Sequence, residues 1–439
     1  MKNGNNVLRY FSIITLLLGV LAVSLSGSRA GILSLCVIAL VVAFYSIKLK
    51  KHIKVIAFCS LIVVCIVGLY FIKKDSADGR LLIWQVSTEM IKDKPLGFGI
   101  GGFRANYMNY QADFFAQNPD SKFAMIADNI KNPFNEYLLL VTNFGIVGLV
   151  AFLAFVCFIF YCYKKSHFEG ERCFAPTSYS MLSLIAIAVF SFFSYPFCYA
   201  FVWLVFAANV LIIIYNARFC HSWQSQAAEP SAREGGNPSK NRGLWVVDRK
   251  DRFVLKTTLL ALCVIIGFFT YRQMRNEMFW CKIANKSLAG QNEEMLPYYA
   301  KLHNSLKNNY LFLYNYTAEL NFAEKYEESL QIAKDCEQLW ADYDLQMLMA
   351  DNYLQMKQYE KAEQHYKKAA AMCPVRFMPL YSLVELYITT GRTAEAEALA
   401  KKVLDKKVKI PSVTINAIKN KMREILSEYY PKEVPPLTP

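Results

Sequence analysis

The chain has few histidines and no paired metal-ligand motif. Its 439 residues include five histidines, at positions 52, 167, 221, 303 and 365, whose spacing is not typical of metal sites. Its twelve cysteines contain no C-x-x-C pair, which argues against a zinc site or a redox motif. The sequence therefore predicts neither a bound metal nor another cofactor.

Charged residues are also scarce, at 19% of the chain, whereas hydrophobic residues make up 54%. This composition excludes disorder over most of the length, because disordered chains have low hydrophobicity. Seven apolar stretches approach the ~20 residues that a spanning helix needs: they are 8–27, 31–47, 53–72, 138–162, 179–197, 199–216 and 254–271. Their middles lack charged side chains, which argues against a transporter. We predict an all-α, polytopic membrane protein.

Basic residues mark the connections that we expect in the cytoplasm. Residues 48–54 carry four lysines, and the connections 163–178 and 218–253 carry further Lys and Arg. The positive-inside rule places them, with the N-terminus, in the cytoplasm. The loop 73–137 and the tail after 272 are then periplasmic, on the outer face of a bacterial inner membrane. The net charge of +14 is thus a topology signal, and no nucleic-acid partner is predicted.

The predicted domains follow from this topology. A membrane domain at 1–217 is followed by a flexible Ser-, Gly- and Pro-rich cytoplasmic linker at 218–253. A last transmembrane helix at 254–272 leads to a repeat domain at 273–430.

The tail has an internal period of about 34 residues, which is typical of tetratricopeptide (TPR) repeats. The predicted repeats are 310–342, 343–376 and 377–410. In the clearest one, 343–376, the characteristic positions are Tyr353, Ala362, Tyr366, Ala369 and Pro374. Such a helical array offers a concave surface for a protein partner, or it is only a packing module that covers the membrane domain.

The loop 73–137 is too long for an ordinary connection between two spans and indicates a functional segment. We predict a helix at 80–92, with Leu81, Trp84, Thr88 and Ile91 along one side, ended by Pro95.

A G-x-G-x-x-G pattern follows, at Gly97, Gly99 and Gly102. It follows a predicted helix instead of a strand, so it predicts a sharply turning loop and not a nucleotide site.

Two arginines lie on the side of the membrane where the positive-inside rule does not require them. Arg29 lies between the first two spans, and Arg80 lies just beyond the third. Topology places both at the outer face. Paired guanidinium groups match phosphate oxygens, so they predict a site for a lipid-linked phosphate or pyrophosphate. A snorkelling membrane anchor is the alternative for Arg29.

In combination, these motifs resemble the O-antigen ligase and polymerase superfamily, which includes lipopolysaccharide O-antigen ligases, Wzy-type polymerases and pilin-type O-oligosaccharyltransferases. The matching motifs are Ser28-Arg29, Gly79-Arg80-x-x-x-Trp84, Pro95-Leu-Gly-x-Gly, Asn135-Glu-Tyr-Leu and Phe144-Gly-Ile-Val-Gly-Leu149. A TPR tail also occurs in members of this group.

The resemblance implies a glycosyltransferase of the cell envelope, as in lipopolysaccharide biosynthesis. The donor would be an undecaprenyl-pyrophosphate-linked glycan, and the acceptor a hydroxyl of lipid A-core, a glycan or a protein. It implies that Arg29 and Arg80 bind the donor pyrophosphate, and we expect Arg104 to assist them from the glycine-rich loop. Trp84, Gly97, Gly99 and Asn135 would shape the loop.

The chain departs from the family at two points. The family's H-N-x-x-L motif begins with Phe134 here, and no histidine occurs in 73–137. Glu136, and then Asp128, are the carboxylates nearest to this motif, and either becomes a general base if burial raises its pKa. The chain also corresponds to the later part of the family pattern, so we expect a piece or a shortened member. A catalytically silent, membrane-anchored TPR scaffold is the alternative function.

Overall fold

The computed structural model describes residues 14, 17–47, 50–72, 74–168, 171–227 and 249–429. The predicted first span and the predicted linker lie largely outside these residues. Within the described ranges every regular element is a helix, as the all-α prediction requires. The chain divides into two compact units, one with residues 1–110 and 120–230 and the other with 111–119 and 231–439.

The first unit contains the helices α1 (17–25), α2 (Arg29–Ser46), α3 (Lys51–Ile72), α4 (Lys74–Asp93), α6 (Glu136–Phe168), α7 (Glu171–Phe193) and α8 (Ala200–Ala227). A short 3₁₀ turn, Pro196–Cys198, connects α7 to α8. Helix α5 (Gly102–Gln117) begins in this unit. The helices α6, α7 and α8 pack on one another, α2 packs on α7, and α4 packs on α6.

Two helical stretches of the described chain are long and apolar enough to cross a membrane, Glu136–Ser166 and Ala200–Ala217. Three shorter apolar stretches coincide with other predicted spans: Arg29–Phe44, His52–Leu61 and Thr177–Phe193. The membrane character of the sequence is therefore present in the fold, and the number of seven spans stays a prediction.

Helix α4 begins earlier than predicted and buries a different face. The side formed by Leu81, Trp84, Thr88 and Ile91 is not the most buried one, since Leu81 is 45% exposed and Thr88 is exposed as well. The residues that α4 buries are Leu82, Ile83, Val86, Ser87 and Met90. The period of about 3.6 residues was right, but which face is buried depends on the helices against which α4 packs, α6 among them. The sequence of α4 alone does not determine that face.

Helix α6 is broken near its N-terminal end by the glycine-rich loop. Gly145 has a φ of 60° and a ψ of −153°, which no residue inside a regular helix adopts. The carbonyl groups of Thr142 and Asn143 accept hydrogen bonds from the amides of Phe98 (3.0 Å) and Gly99 (2.8 Å). Backbone groups released by the break are thereby satisfied inside an apolar helix, where an unpaired group is costly.

The second unit is a TPR-like array of helix pairs. Its helices are α9 (Arg249–Leu288), α10 (Asn292–Leu306), α11 (Tyr310–Phe322), α12 (Tyr326–Leu339), α13 (Tyr343–Gln355), α14 (Tyr359–Met372), α15 (Met378–Thr389), α16 (Thr393–Asp405) and α17 (Val413–Tyr429). The pairs α11–α12, α13–α14 and α15–α16 lie in the three predicted repeats. Ala362 and Ala369 are fully buried, as expected of small residues where paired helices approach closely.

Helix α9 runs without interruption for 40 residues, so the predicted boundary at 272 falls inside one helix. Its C-terminal part belongs to the repeat unit, since the indole N–H of Trp280 donates to Asn315 Oδ1 at 2.8 Å.

Candidate functional site

Arg29 and Arg80 line one cavity in the first unit. The cavity has a volume of about 210 Å³ and is formed by residues of α2, α3, α4 and the end of α7. Ser28 caps α2, its Oγ accepting from the amide of Gly31 at 3.2 Å. Arg29 is therefore the first residue of the helix, where unpaired amide groups and the helix dipole favour anions.

Arg29 and Arg80 line the same cavity because α2 contacts α4 at Ser76, one helical turn before Arg80. Arg29 Nη2 donates to Ser76 Oγ at 2.6 Å, and residues four apart lie on the same face of a helix. Burial and the positive charge of Arg29 lower the pKa of Arg80. The guanidinium of Arg80 stays protonated nonetheless, so two like charges share one partly buried space.

No carboxylate in the described part of the chain pairs with Arg80. Its guanidinium makes no hydrogen bond or ion pair there, and its one specific contact is with the ring of Phe134, 5.9 Å from the guanidinium carbon to the ring centroid. Asp78 is nearby but accepts from the hydroxyl of Tyr70 at 2.9 Å. Arg80, which lies beside a second positive charge and has no acidic partner in the described part of the chain, therefore suits an anionic ligand.

Trp84 also lines this cavity, from α4 and not from a loop. Its ring meets that of Phe192 edge to face, with centroids 5.7 Å apart. Trp84 therefore connects the wall of the arginine cavity to α7.

Glu136 lies at a second, larger cavity. Asn135 caps α6, its Oδ1 accepting from the amides of Tyr137 (2.9 Å) and Leu138 (3.1 Å). This cap makes Glu136 the first helical residue. Its Oε1 accepts from the amide of Phe197 at 3.0 Å. The cavity beside it has about 490 Å³ and apolar walls from α6, α7 and α8.

Neither Arg104 nor Asp128 lines the cavity of the paired arginines. Arg104 is not in the wall of the arginine cavity. It acts instead on Cys198, next to Glu136: burial and the Glu136 carboxylate raise the pKa of the Cys198 thiol, and the Arg104 guanidinium opposes them. Asp128 is exposed, its Oδ1 accepts from the amide of Asn129, and it lines neither cavity.

Gly97 and Gly99 have φ values of 86° and 87° in the loop that enters the break of α6. The loop holds no strand–helix junction, so it is a backbone contact to α6 and not a nucleotide cradle.

Sequence reasoning missed Tyr70, Phe134 and Phe197 as residues of the site. Tyr70 is one aromatic residue in an apolar stretch, and Phe197 contributes through its backbone amide, so neither carries a sequence signal. Phe134 did have one, because it takes the place of the histidine in the family motif.

Comparison with known proteins agrees with both units. Residues 14–153 match the O-antigen ligase family (Wzy_C), and residues 343–375 match the tetratricopeptide repeat. No curated protein matched the chain. A solved structure described as "Crystal structure of MamA protein" is 13% identical over 37% of this chain and 98% of that chain, with a TM-score of 0.28.

Proposed function

Because residues 14–153 match the O-antigen ligase family, we propose that the protein is a membrane glycosyltransferase. It transfers a glycan from undecaprenyl pyrophosphate to an acceptor hydroxyl of lipid A-core, a glycan or a protein. The observation that carries this proposal is the cavity shared by Arg29 and Arg80, in which Arg80 has no acidic partner among the described residues. That charge arrangement matches the pyrophosphate of such a donor.

In this reaction the acceptor oxygen attacks the anomeric carbon of the donor sugar. The bond from that carbon to the pyrophosphate oxygen breaks, and undecaprenyl pyrophosphate leaves with the electron pair. Arg29 and Arg80 stabilise the negative charge that develops on the leaving oxygen. The proton of the acceptor hydroxyl passes to the carboxylate of Glu136, which borders an apolar cavity in which that proton transfer is favoured.

The site belongs at the periplasmic face of the inner membrane in this proposal. The apolar stretches of α6 and α8, with the basic connections of the sequence, support a multi-pass topology with loop 73–137 and the repeat unit outside. The repeat match at 343–375 supports a protein partner at the array.

The proposal is tested by glycan transfer in membranes that contain Arg29→Ala or Arg80→Ala. We expect transfer to fall at least roughly 100-fold, since removing one preorganised donor of this type has that effect. Arg423→Ala is the matched control, because Arg423 is exposed and bonds only Asn420 in the described structure. Unchanged transfer at equal protein level would contradict the enzymatic role.

The same membranes separate the enzyme from a silent scaffold. A scaffold loses surface glycan when the whole chain is deleted and keeps it with Arg80→Ala. An enzyme loses it in both cases.

A further inference from the structure

The ring of Phe134 lies within cation–π range of the guanidinium of Arg80 and has a strained backbone. Phe134 has a φ of 52°, in the left-handed region that aromatic residues rarely adopt. Its ring centroid lies 5.9 Å from the guanidinium carbon of Arg80 and 5.3 Å from the ring centroid of Tyr195. Backbone strain of this kind persists only where the surroundings hold it, and it is concentrated at functional positions.

Two contacts hold the Phe134 segment from the side of the 3₁₀ turn. Tyr195 packs edge to face on the Phe134 ring. Glu136, two residues after Phe134, accepts a hydrogen bond from the amide of Phe197, two residues after Tyr195. The cap of α6 by Asn135 fixes the intervening residue. The direction of the Phe134 ring is thus determined by several elements at once.

Arg80, in contrast, is held by little else. It lacks a hydrogen bond or ion pair in the described structure, and the charge of Arg29 repels it. A long, flexible side chain in that situation loses conformational entropy when it binds a ligand. An aromatic face attracts a guanidinium without neutralising it, so it orients the cation and leaves its N–H donors for an anion.

We propose that Phe134 is a positioning residue that orients Arg80 for the pyrophosphate of the donor. This inference rests on the proposed function and adds a residue that neither binds the donor directly nor touches the reacting atoms. Its loss should weaken donor binding more than it slows the chemical step.

Phe134→Gly provides the test, because glycine adopts a positive φ without strain. The backbone is kept while the ring is removed. We expect the KM for the lipid-linked donor to rise roughly 2- to 30-fold, the range of a partly buried cation–π contact, with a smaller change in kcat. Phe134→Tyr, which retains an aromatic face, should keep the wild-type KM, whereas Phe134→Leu should raise it.

Direct binding of geranyl pyrophosphate to the purified full chain, measured by calorimetry, gives a readout other than activity. Weaker binding by Phe134→Gly with wild-type binding by Phe134→Tyr supports the role of the ring. Wild-type binding by Phe134→Gly, with binding lost in Arg80→Ala, overturns that role and leaves the donor site intact. If the wild-type chain does not bind the probe, both the donor site and the role of Phe134 are overturned.

A thermal unfolding scan of Phe134→Gly and Phe134→Tyr accompanies these measurements. If Phe134→Gly melts at the wild-type temperature, loss of binding reports the ring and not the fold. If Phe134→Leu binds as tightly as the wild type, the aromatic face is not what positions Arg80, and the inference is wrong.

Discussion

Gly97 and Gly145 lie backbone against backbone where the glycine-rich loop enters the break of α6. A Cβ atom placed on Gly97 would lie 2.6 Å from the amide nitrogen of Gly145, and one on Gly145 would lie 2.6 Å from Cα of Leu96. Both residues have a positive φ, of 86° and 60°. Two glycine motifs that are 48 residues apart in the chain thus serve a single contact.

We therefore expect Gly97→Ala and Gly145→Ala to destabilise the first unit. Each adds a methyl group against backbone atoms that cannot move aside and forces alanine into a left-handed conformation, at a cost of about 1–3 kcal/mol or more. Thermal unfolding of the purified chain in detergent measures the effect.

Gly79→Ala is the control for that prediction. A Cβ at Gly79 meets no atom within 4 Å, and alanine favours the helix, so its melting temperature should equal or exceed that of the wild type. If Gly97→Ala melts at the same temperature as Gly79→Ala, the contact between Gly97 and Gly145 contributes nothing to stability.

Glu136→Gln should abolish most of the transfer while keeping the fold. The amide oxygen of glutamine still accepts the hydrogen bond from Phe197, but it cannot take the proton of the acceptor. Loss of a general base costs roughly 10²–10⁴-fold in rate, and kcat in a purified transfer assay would report it. Asp128→Asn, at an exposed position, should retain the wild-type kcat. A wild-type kcat in Glu136→Gln as well would exclude Glu136 as the base.

Thiol labelling tests the proposed outer location of the repeat unit. Cys281 is exposed, whereas Cys336 is buried, and burial raises the pKa of its thiol to about 12. A membrane-impermeant maleimide should label a chain that retains only Cys281 in intact spheroplasts at neutral pH. A chain that retains only Cys336 should react after denaturation.

Labelling of Cys281 only after the membrane is disrupted would place the repeat unit in the cytoplasm. The Cys336 chain shows, in the same experiment, that the repeat unit is folded.

Acid should loosen the array between its second and third repeats. Glu363 accepts hydrogen bonds from Arg392 Nη1 at 2.5 Å and from the Tyr387 hydroxyl at 2.9 Å. Lys367 Nζ lies 2.7 Å from Glu363 Oε1. The hydrogen bond from Arg392 makes the largest contribution to the shift that lowers the pKa of Glu363 to about 2. The unfolded state binds more protons between about pH 2 and the ordinary value of 4.5, so this stabilisation is complete above 4.5 and is lost as the pH falls towards 2.

The protection of the amides of α14 to α16 from hydrogen–deuterium exchange, measured relative to the intrinsic exchange rate at each pH, should therefore fall in that window. Glu363→Gln should show the lower protection already at pH 7. Glu360→Gln, on the exposed side of α14, is the matched control. Protection that is independent of Glu363 at pH 7 would contradict the contribution of this cluster.

Much of the fold could be predicted because its signals are local. The apolar runs, the basic connections and the buried small residues such as Ala362 each follow from the composition of a short segment. The phase of α4 could not be predicted in the same way. Leu81 and Leu82 are equally apolar, and the packing of α4 against other helices decides which of them is buried.

The same distinction between local and tertiary information applies to the candidate site. By itself, the sequence determined that Arg29, Arg80 and Glu136 are unusual at their positions and that a family motif lacks its histidine. Only the tertiary structure brings Arg29 and Arg80 into one cavity. It also places Arg104 where its charge acts on Cys198, and the ring of Phe134 beside the guanidinium of Arg80. The physical reason is that these relationships depend on how helices from distant segments pack, and packing is a property of several segments together.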